Sequence, residues 1–295
     1  MDLRKQSNVY MQVSNNSIQS YAKINLGLKV LDLLPDGYHS IYSIMHEVDL
    51  YDTITIHKRK DDIININISG DIAVPNDTSN LCIKAAQLFF DLHNISNVGL
   101  DIDLHKRIPI EAGLGGGSSN AANVLLLINN IFELHISNSD LCDMGFQLGC
   151  DVPFFINGGI QIAEGKGEKL SPTLMSLDGY TILLVVPKFS ISTKWAYSFF
   201  KNNLSESFNR NKFHTFQNNI DWLLFENDFE KVIKTAYPEV IEIRSQLESS
   251  GALFVSLSGS GSTMFGVFED FLKADIAYHQ LKTYHCHIVE PIKRN

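Results

Sequence analysis

Apolar and polar positions first fall into strict alternation between Tyr21 and Val30. Ala22, Ile24, Leu26, Leu28 and Val30 take one side; Lys23, Asn25, Gly27 and Lys29 take the other. A period of two predicts a half-buried strand, with Lys23 and Asn25 projecting together from the face away from the core. Leu34-Pro35-Asp36-Gly37 is a turn signal that ends it. Residues 49–57, 63–68 and 99–104 read as further strands. Residues 80–92 read as a helix with Leu81, Ala85, Leu88 and Phe89 on one face. Residues 108–117 form a Gly-rich loop, 118–131 and 139–148 are helical, and strand-like runs follow at 160–163 and 181–186. The pattern changes near residue 185. Segments 192–200, 229–235 and 238–249 look helical, the last ending at Gly251. Strands 254–257 and 263–268 flank a second Gly-rich loop, 272–283 is a helix, and 287–290 a last strand. Residues 1–17, rich in Asn and Ser, read as a loose lead-in. Strands and helices are mixed without regular alternation, so the fold class is α+β. Two domains are expected, 1–170 and 171–295, with the change-over within 165–185.

The length supports that division: 295 residues at ~100–200 per domain suggests two. Such a chain buries a large core without disulfide or metal staples. The 24 Lys and Arg against 33 Asp and Glu leave a net charge of −9. No basic footprint exists for general nucleic-acid or anionic-membrane binding. A small anionic substrate needs only local donors or a metal ion and stays open. Cys82, Cys142, Cys150 and Cys286 match no zinc spacing and read as free thiols of a reducing compartment. Residues 1–20 lack the apolar run of a signal peptide, and no stretch reaches the ~18 apolar residues of a membrane helix. A soluble, intracellular protein is expected.

The most informative segment is Glu111-Ala112-Gly113-Leu114-Gly115-Gly116-Gly117-Ser118-Ser119-Asn120. Glycines let backbone N–H groups crowd around an anion with no Cβ in the way. The helix that follows turns its free N–H groups and positive dipole end toward the same anion. Ser118 and Ser119 can cap that helix, donate to phosphate or ligate Mg²⁺. No Gly-Lys-Ser/Thr closes the loop, so it is not a Walker A motif. The dinucleotide fingerprint fails at Ser118, where Gly or Ala is required. The second loop, Ser258-Gly259-Ser260-Gly261, is weak alone; with the first it suggests two walls of one phosphate site.

The strand with Lys23 and Asn25, the Pro109-to-Ser119 run and the late Ser-Gly-Ser-Gly loop together resemble the GHMP small-molecule kinases. Asp36-Gly37-Tyr38-His39, Gly-Leu-Gly-Gly-Gly-Ser-Ser-Asn-Ala-Ala and Leu148-Gly149-Cys150-Asp151-Val152-Pro153-Phe154-Phe155 narrow the resemblance to one branch. That branch phosphorylates a cytidylyl methylerythritol in the non-mevalonate isoprenoid route. The motifs run in order over residues 20–268. The resemblance implies a ribosomal-S5-like N-terminal domain, a ferredoxin-like C-terminal domain and a site between them. It further implies ATP with Mg²⁺ and a tertiary 2-hydroxyl as acceptor; with no recognisable transit peptide a bacterial cytoplasm is expected, and a monomer or weak homodimer.

The same resemblance assigns roles. Phosphoryl transfer needs positioning, charge neutralisation and a destination for the hydroxyl proton. Asp151 is the expected base, Lys23 its partner, and Asn25 a hydrogen-bonding group for the hydroxyl or for Asp151. ATP phosphates are expected on Pro109, Ile110, Glu111, Ala112, Gly113, Leu114, Gly115, Gly116, Gly117, Ser118 and Ser119. Asn80, Lys106 and Asn120 are expected at adenine or ribose, although Lys106-Arg107 also reads as a surface basic pair. Mg²⁺ is expected on Ser118 or Ser119 through ATP. Tyr38 and His39 suit the face and edge of cytosine, with Tyr197 as second stacking aromatic and Phe189 its competitor. Thr193, Ser258, Gly259, Ser260 and Gly261 complete the acceptor side. Two positions depart from the family: Cys150, read as core where a small Ala is usual, and Glu111, a carboxylate at the start of a phosphate loop.

Overall fold

The computed structural model describes residues 16–200 and 220–294. Most of the expected lead-in, 1–15, lies outside them, and Ser17 already begins a strand. The first sheet contains β1 (Ser17–Leu33), β2 (His39–Arg59), β3 (Ile64–Gly70), β4 (Gly99–Lys106), β5 (Ile160–Gly165) and β6 (Lys169–Pro172). Its order is β3-β4-β2-β5-β6, with β1 antiparallel along β2. The second sheet is antiparallel, in the order β10-β7-β9-β8. Its strands are β7 (Thr181–Val186), β8 (Phe254–Leu257), β9 (Met264–Phe268) and β10 (His285–Val289). Because β6 pairs with β5, a division between residues 170 and 171 runs through a strand of the first sheet.

Helices α1 (Leu81–His93), α2 (Gly116–Ile131), α3 (Asn138–Phe146) and α4 (Val152–Asn157) cover one face of the first sheet. Its other face packs on the second sheet through Ala22, Ile24, Leu26 and Ile44 against Ile182, Leu184, Phe265 and Val267. The outer face of the second sheet uses Leu183 and Val185 against Ile233, Ile243 and Ala277. These come from α6 (Glu230–Ala236), α7 (Glu239–Ser249) and α8 (Phe271–Leu281); α5 (Thr193–Ser198) lies in the same layer. The unbroken apolar run of β7 follows from burial on both faces.

Two expectations change here. The strand at 49–57 is the second half of β2, which starts at His39; residues 39–48 are buried between layers and lack a clean alternation. The strand at 21–30 is not half-buried: Lys23 and Asn25 are 3% and 1% exposed. A register shift between Asn25 and Gly27 also moves Leu28 and Val30 into a different core from Ala22, Ile24 and Leu26. Among the described residues no helix is long and apolar enough to cross a membrane. All four cysteines are free thiols, and Cys150 is half-buried rather than core.

Candidate active site

The two Gly-rich loops meet backbone to backbone. Ser258 Oγ donates to the Gly113 carbonyl at 2.9 Å, and Thr263 N to the Ala112 carbonyl at 3.2 Å. Gly113 has φ +77°, and a Cβ there would stand 2.0 Å from the Ser258 carbonyl oxygen, so a side chain at 113 would push the loops apart. Gly115 is the N-cap of α2, with φ +70° and no side-chain cap. The helix therefore begins at Gly116 rather than Ser118, and neither serine caps it. Its first amides and dipole end face the loop with no internal acceptor.

Beneath the loops a cleft of about 390 Å³ is lined by residues 109–118, Lys23, Asn25, Lys106, Asp151, Lys166, Thr193, Tyr197, Gly259 and Ser260. Lys23 Nζ lies 3.7 Å from Asp151 Oδ2 and donates to Asn25 Oδ1 at 2.5 Å. Asn25 Nδ2 donates to Ser43 Oγ at 2.7 Å, and Ser43 Oγ to the Gly27 carbonyl at 2.7 Å. This chain of bonds fixes the Lys23 ammonium on the cleft floor. Burial pushes its pKa down, and the Asp151 carboxylate opposes that shift. Asp151 is the N-cap residue of α4, yet its side chain makes no cap hydrogen bond and stays directed at Lys23. Six residues cannot hold a helix alone. Phe154 and Phe155, both fully buried, contribute about 1.5–3 kcal/mol each and hold α4 in place.

Several expected nucleotide contacts have other partners. Asp52, fully buried on β2, accepts from Lys106 Nζ at 2.7 Å, Arg107 N at 2.7 Å, Ile108 N at 2.8 Å and Asn120 Nδ2 at 2.9 Å. Lys106 therefore lines the cleft as half of a buried ion pair, not as a surface basic residue; burial pushes its pKa down against the Asp52 charge. Asn120 belongs to the same buried network. So does Ser119, whose Oγ lies 2.8 Å from Ser20 Oγ, which leaves Ser118 as the serine on the cleft. Asn80 is the N-cap of α1: Oδ1 accepts from Cys82 N at 2.9 Å, and Nδ2 donates to the Pro75 carbonyl at 2.6 Å. Each end of that amide therefore holds one backbone partner. Glu111 is exposed at φ +51°.

Of the residues expected at the acceptor, His39 is buried and stacks on Tyr197, with centroids 5.6 Å apart and planes 19° apart. Burial raises the Tyr197 phenol pKa. Phe189 instead stacks on Tyr237, away from His39. Tyr38, 58% exposed, stands in the turn between β1 and β2. Thr193 Oγ1 lies 3.0 Å from Ser260 Oγ. Ser258 and Gly261 are buried: the first ties the loops, and the second packs on Ile191 and Leu257.

Sequence reasoning missed Asp52, Ser43, Lys166 and Asn227. An Asp inside a strand was the available signal for Asp52, since Asp is depleted there. Asn227, 4% exposed, donates to the carbonyls of Leu257 at 2.7 Å and Gly259 at 2.8 Å, and accepts from Phe229 N at 3.0 Å. It fixes the backbone of the second loop. Asn227→Ala is expected to cost about 1–3 kcal/mol by leaving buried backbone groups unpaired. A raised KM should accompany the loss in urea unfolding; unchanged values of both would remove Asn227 from this role.

The comparisons with known proteins agree. Residues 80–159 match the N-terminal domain of the GHMP kinases, and residues 204–286 their C-terminal domain. The 4-diphosphocytidyl-2-C-methyl-D-erythritol kinase of Clostridium beijerinckii is 39% identical over 276 residues, 90% of this chain and 95% of that protein. One from Clostridium botulinum is 39% identical over 274 residues, with the same coverage. A crystal structure of 4-(cytidine 5'-diphospho)-2C-methyl-D-erythritol kinase superposes with a TM-score of 0.76 at 28% identity, over 92% of this chain and 98% of that one. A homoserine kinase from Cytophaga hutchinsonii shares the fold, with a TM-score of 0.69 at 17% identity over 96% of this chain and 97% of its own. With two GHMP domains, 39% identity over nine-tenths of its length and a Lys–Asp pair beneath two apposed glycine loops, the chain belongs to the 4-diphosphocytidyl-2-C-methyl-D-erythritol kinase family of GHMP kinases.

Proposed function

We propose that the chain transfers the γ-phosphoryl group of ATP to the 2-hydroxyl of 4-diphosphocytidyl-2-C-methyl-D-erythritol, giving the 2-phosphate and ADP, in non-mevalonate isoprenoid precursor synthesis. The observation that carries this reading is the Lys23–Asp151 pair at 3.7 Å on the floor of a cleft walled by both loops. Asp151 takes the hydroxyl proton as the oxygen attacks the γ-phosphorus and the bond to the β-phosphate oxygen breaks. Lys23 orients Asp151 and stabilises charge developing on the attacked oxygen. Asn25 fixes Lys23. The backbone amides of 113–118 and the uncapped start of α2 take the phosphates.

No three His, Cys, Asp or Glu side chains among the described residues converge to hold a metal. That suits Mg²⁺ held mostly by phosphate oxygens and water, with Ser118 the nearby hydroxyl. When bound, Mg²⁺ supplies neutralisation of phosphate charge. Tyr38, His39 and Tyr197 take the cytosine end. A monomer or weak homodimer in a bacterial cytoplasm is the proposed setting.

The test is acceptor-dependent ADP release from ATP and Mg²⁺, with 4-diphosphocytidyl-2-C-methylerythritol beside homoserine and mevalonate. Turnover is expected with the cytidylyl acceptor alone. Turnover with either other alcohol, and none with the first, would keep the fold and sink the substrate.

A further inference from the structure

Both ends of the first glycine loop are held by one carboxylate. At the entry, Asp52 Oδ1 accepts from Arg107 N at 2.7 Å and from Ile108 N at 2.8 Å. Past the exit, Asp52 Oδ2 accepts from Asn120 Nδ2 of α2 at 2.9 Å. Lys106 Nζ reinforces the entry, donating to Asp52 Oδ2 and to the Ile108 carbonyl, each at 2.7 Å. The two ends also touch. A Cβ on Gly116 would lie 2.9 Å from Ile108 Cγ2 and 3.1 Å from Lys106 Nζ, so the first turn of α2 seats on the pinned entry. Asp52 itself is fully buried.

Between those ends the carbonyls of the loop are taken. Ala112, Gly113 and Leu114 accept from Thr263 N, Ser258 Oγ and Lys23 N in turn. In a planar trans peptide the carbonyl and the following amide point opposite ways. The amides of Gly113, Leu114 and Gly115 are thus turned away from these partners, on the side left to an anion. Such an arrangement is costly to hold. Gly113, Gly115, Gly116 and Gly117 lose more conformational freedom on ordering than other residues. A loop left loose has to be ordered by its ligand, and binding weakens by that cost.

Resting on the phosphate reading of this loop, we propose that Asp52 is a positioning residue for the donor nucleotide: by tying both ends of the loop to β2 it keeps the amides of 113–118 aimed before ATP arrives. Asp52 acts through the loop and touches no substrate. Its effect therefore falls on ATP and spares the acceptor, whose proposed contacts Tyr38, His39 and Tyr197 lie in the β1–β2 turn, at the start of β2 and on α5.

Calorimetry with ATP and CDP, and hydrogen exchange of the ligand-free protein, test this on Asp52→Asn, Asn120→Ala and a control, Ile56→Ala. An amide at 52 still accepts from Arg107 N and Ile108 N but gives up Lys106 and Asn120. Asp52→Asn is expected to weaken ATP about tenfold, equivalent to about 1.4 kcal/mol, with CDP changed by less than about twofold. KM for ATP should rise by a similar factor, with a smaller change in kcat. Amides of 109–117 should exchange faster than in wild type, by a larger factor than those of α8. Should the stranded Lys106 charge prevent Asp52→Asn from folding, Asn120→Ala carries the test, since it cuts the tie to α2 and leaves the ion pair. It is expected to weaken ATP about threefold, the worth of one hydrogen bond, with the same pattern of exchange. Ile56→Ala truncates the core on the same strand and should lower stability in urea without changing ATP affinity. An equal ATP loss in Ile56→Ala at matched stability would overturn the proposal and leave Asp52 a structural residue only. Weaker ATP with unchanged exchange of 109–117 would overturn it in favour of a charge effect of the Lys106 pair. Unchanged ATP affinity in the Asp52 and Asn120 variants would overturn the pin alone; wild type that binds CDP but not ATP would overturn the phosphate reading, and this inference with it.

Discussion

Asp151→Asn is expected to lower kcat by roughly 10²–10⁴-fold, the range for loss of a positioned general base, while ATP still binds. The carboxamide keeps the size of the side chain but cannot take the hydroxyl proton. ATP binding is spared because the proposed phosphate cradle uses backbone amides of 113–118 and the start of α2, with no bond from Asp151. The fold is spared too, since Asp151 caps nothing and is one-third exposed. Lys23→Met should fall in the same range, because the buried ammonium and the carboxylate act as one unit. The double variant should then lose little more than either single one, a non-additivity expected of coupled groups. Steady-state ADP release with the cytidylyl acceptor, together with ATP calorimetry, reads all three. Activity of Asp151→Asn within threefold of wild type would falsify the assignment of the base. Multiplying losses in the double variant would mean that Lys23 works on the phosphates independently of Asp151.

Why Lys23 and Asp151 were legible before the fold, and Asp52 was not, has a physical reason. The alternation at 21–30 places Lys23 and Asn25 on one strand face, and backbone geometry enforces that. Alternation is blind to what covers the face. Here the covering comes from Gly113–Gly115 and Gly259, so a face that reads as solvated is buried and lines the cleft. The glycine runs were legible as anion cradles, because few other uses need so many. Their mutual contact depends on the return of β8 and β9 from the second sheet and has no local signal. Asp52 looked like one polar position in an alternating strand; its four donors converge from β4, the loop that follows it and α2. Asn80, Lys106 and Asn120, expected at the nucleotide, carry structural bonds in the fold for a related reason. A residue type suited to a ligand is equally suited to a cap or a buried network, and the fold used them there. The first half of β2 escaped notice because a strand buried on both faces loses its period.

The second large effect lies behind the site. Arg294→Met is expected to destabilise the protein by about 3–5 kcal/mol at neutral pH, the usual result of stripping a buried charge of its partner. Glu47 on β2 is fully buried. Its carboxylate accepts from Arg294 Nε at 2.7 Å and Nη2 at 2.6 Å, and from Gly159 N at 2.7 Å. A Cβ on Gly158 would stand 2.0 Å from Arg294 Nε, so the guanidinium occupies space that only a glycine leaves. Gly158 ends α4, whose other end carries Asp151, so the lock also anchors the helix that presents the base. Burial pushes the Glu47 pKa up, and Arg294 and the Gly159 amide hold it back. A raised carboxyl pKa contributes stability below the unfolded value near 4.5 and loses it as pH climbs through the folded one. Without Arg294 the folded pKa rises further. The gap between variant and wild type is then widest at neutral pH, starts to close below the variant's Glu47 pKa, and is smallest once Glu47 is protonated in both. Urea unfolding at pH 7.5 and pH 5 measures this. A double-mutant cycle with Glu47→Gln isolates the pair, because the neutral amide leaves no stranded charge and should recover part of the loss. A gap under about 1 kcal/mol at pH 7.5, below the range for a broken buried pair, or one that does not narrow on acidification, would show that Glu47 does not depend on Arg294. In that case the end of α4 is held without Arg294, by its phenylalanines and by Gln161 Nε2, which donates to the Phe154 and Gly158 carbonyls.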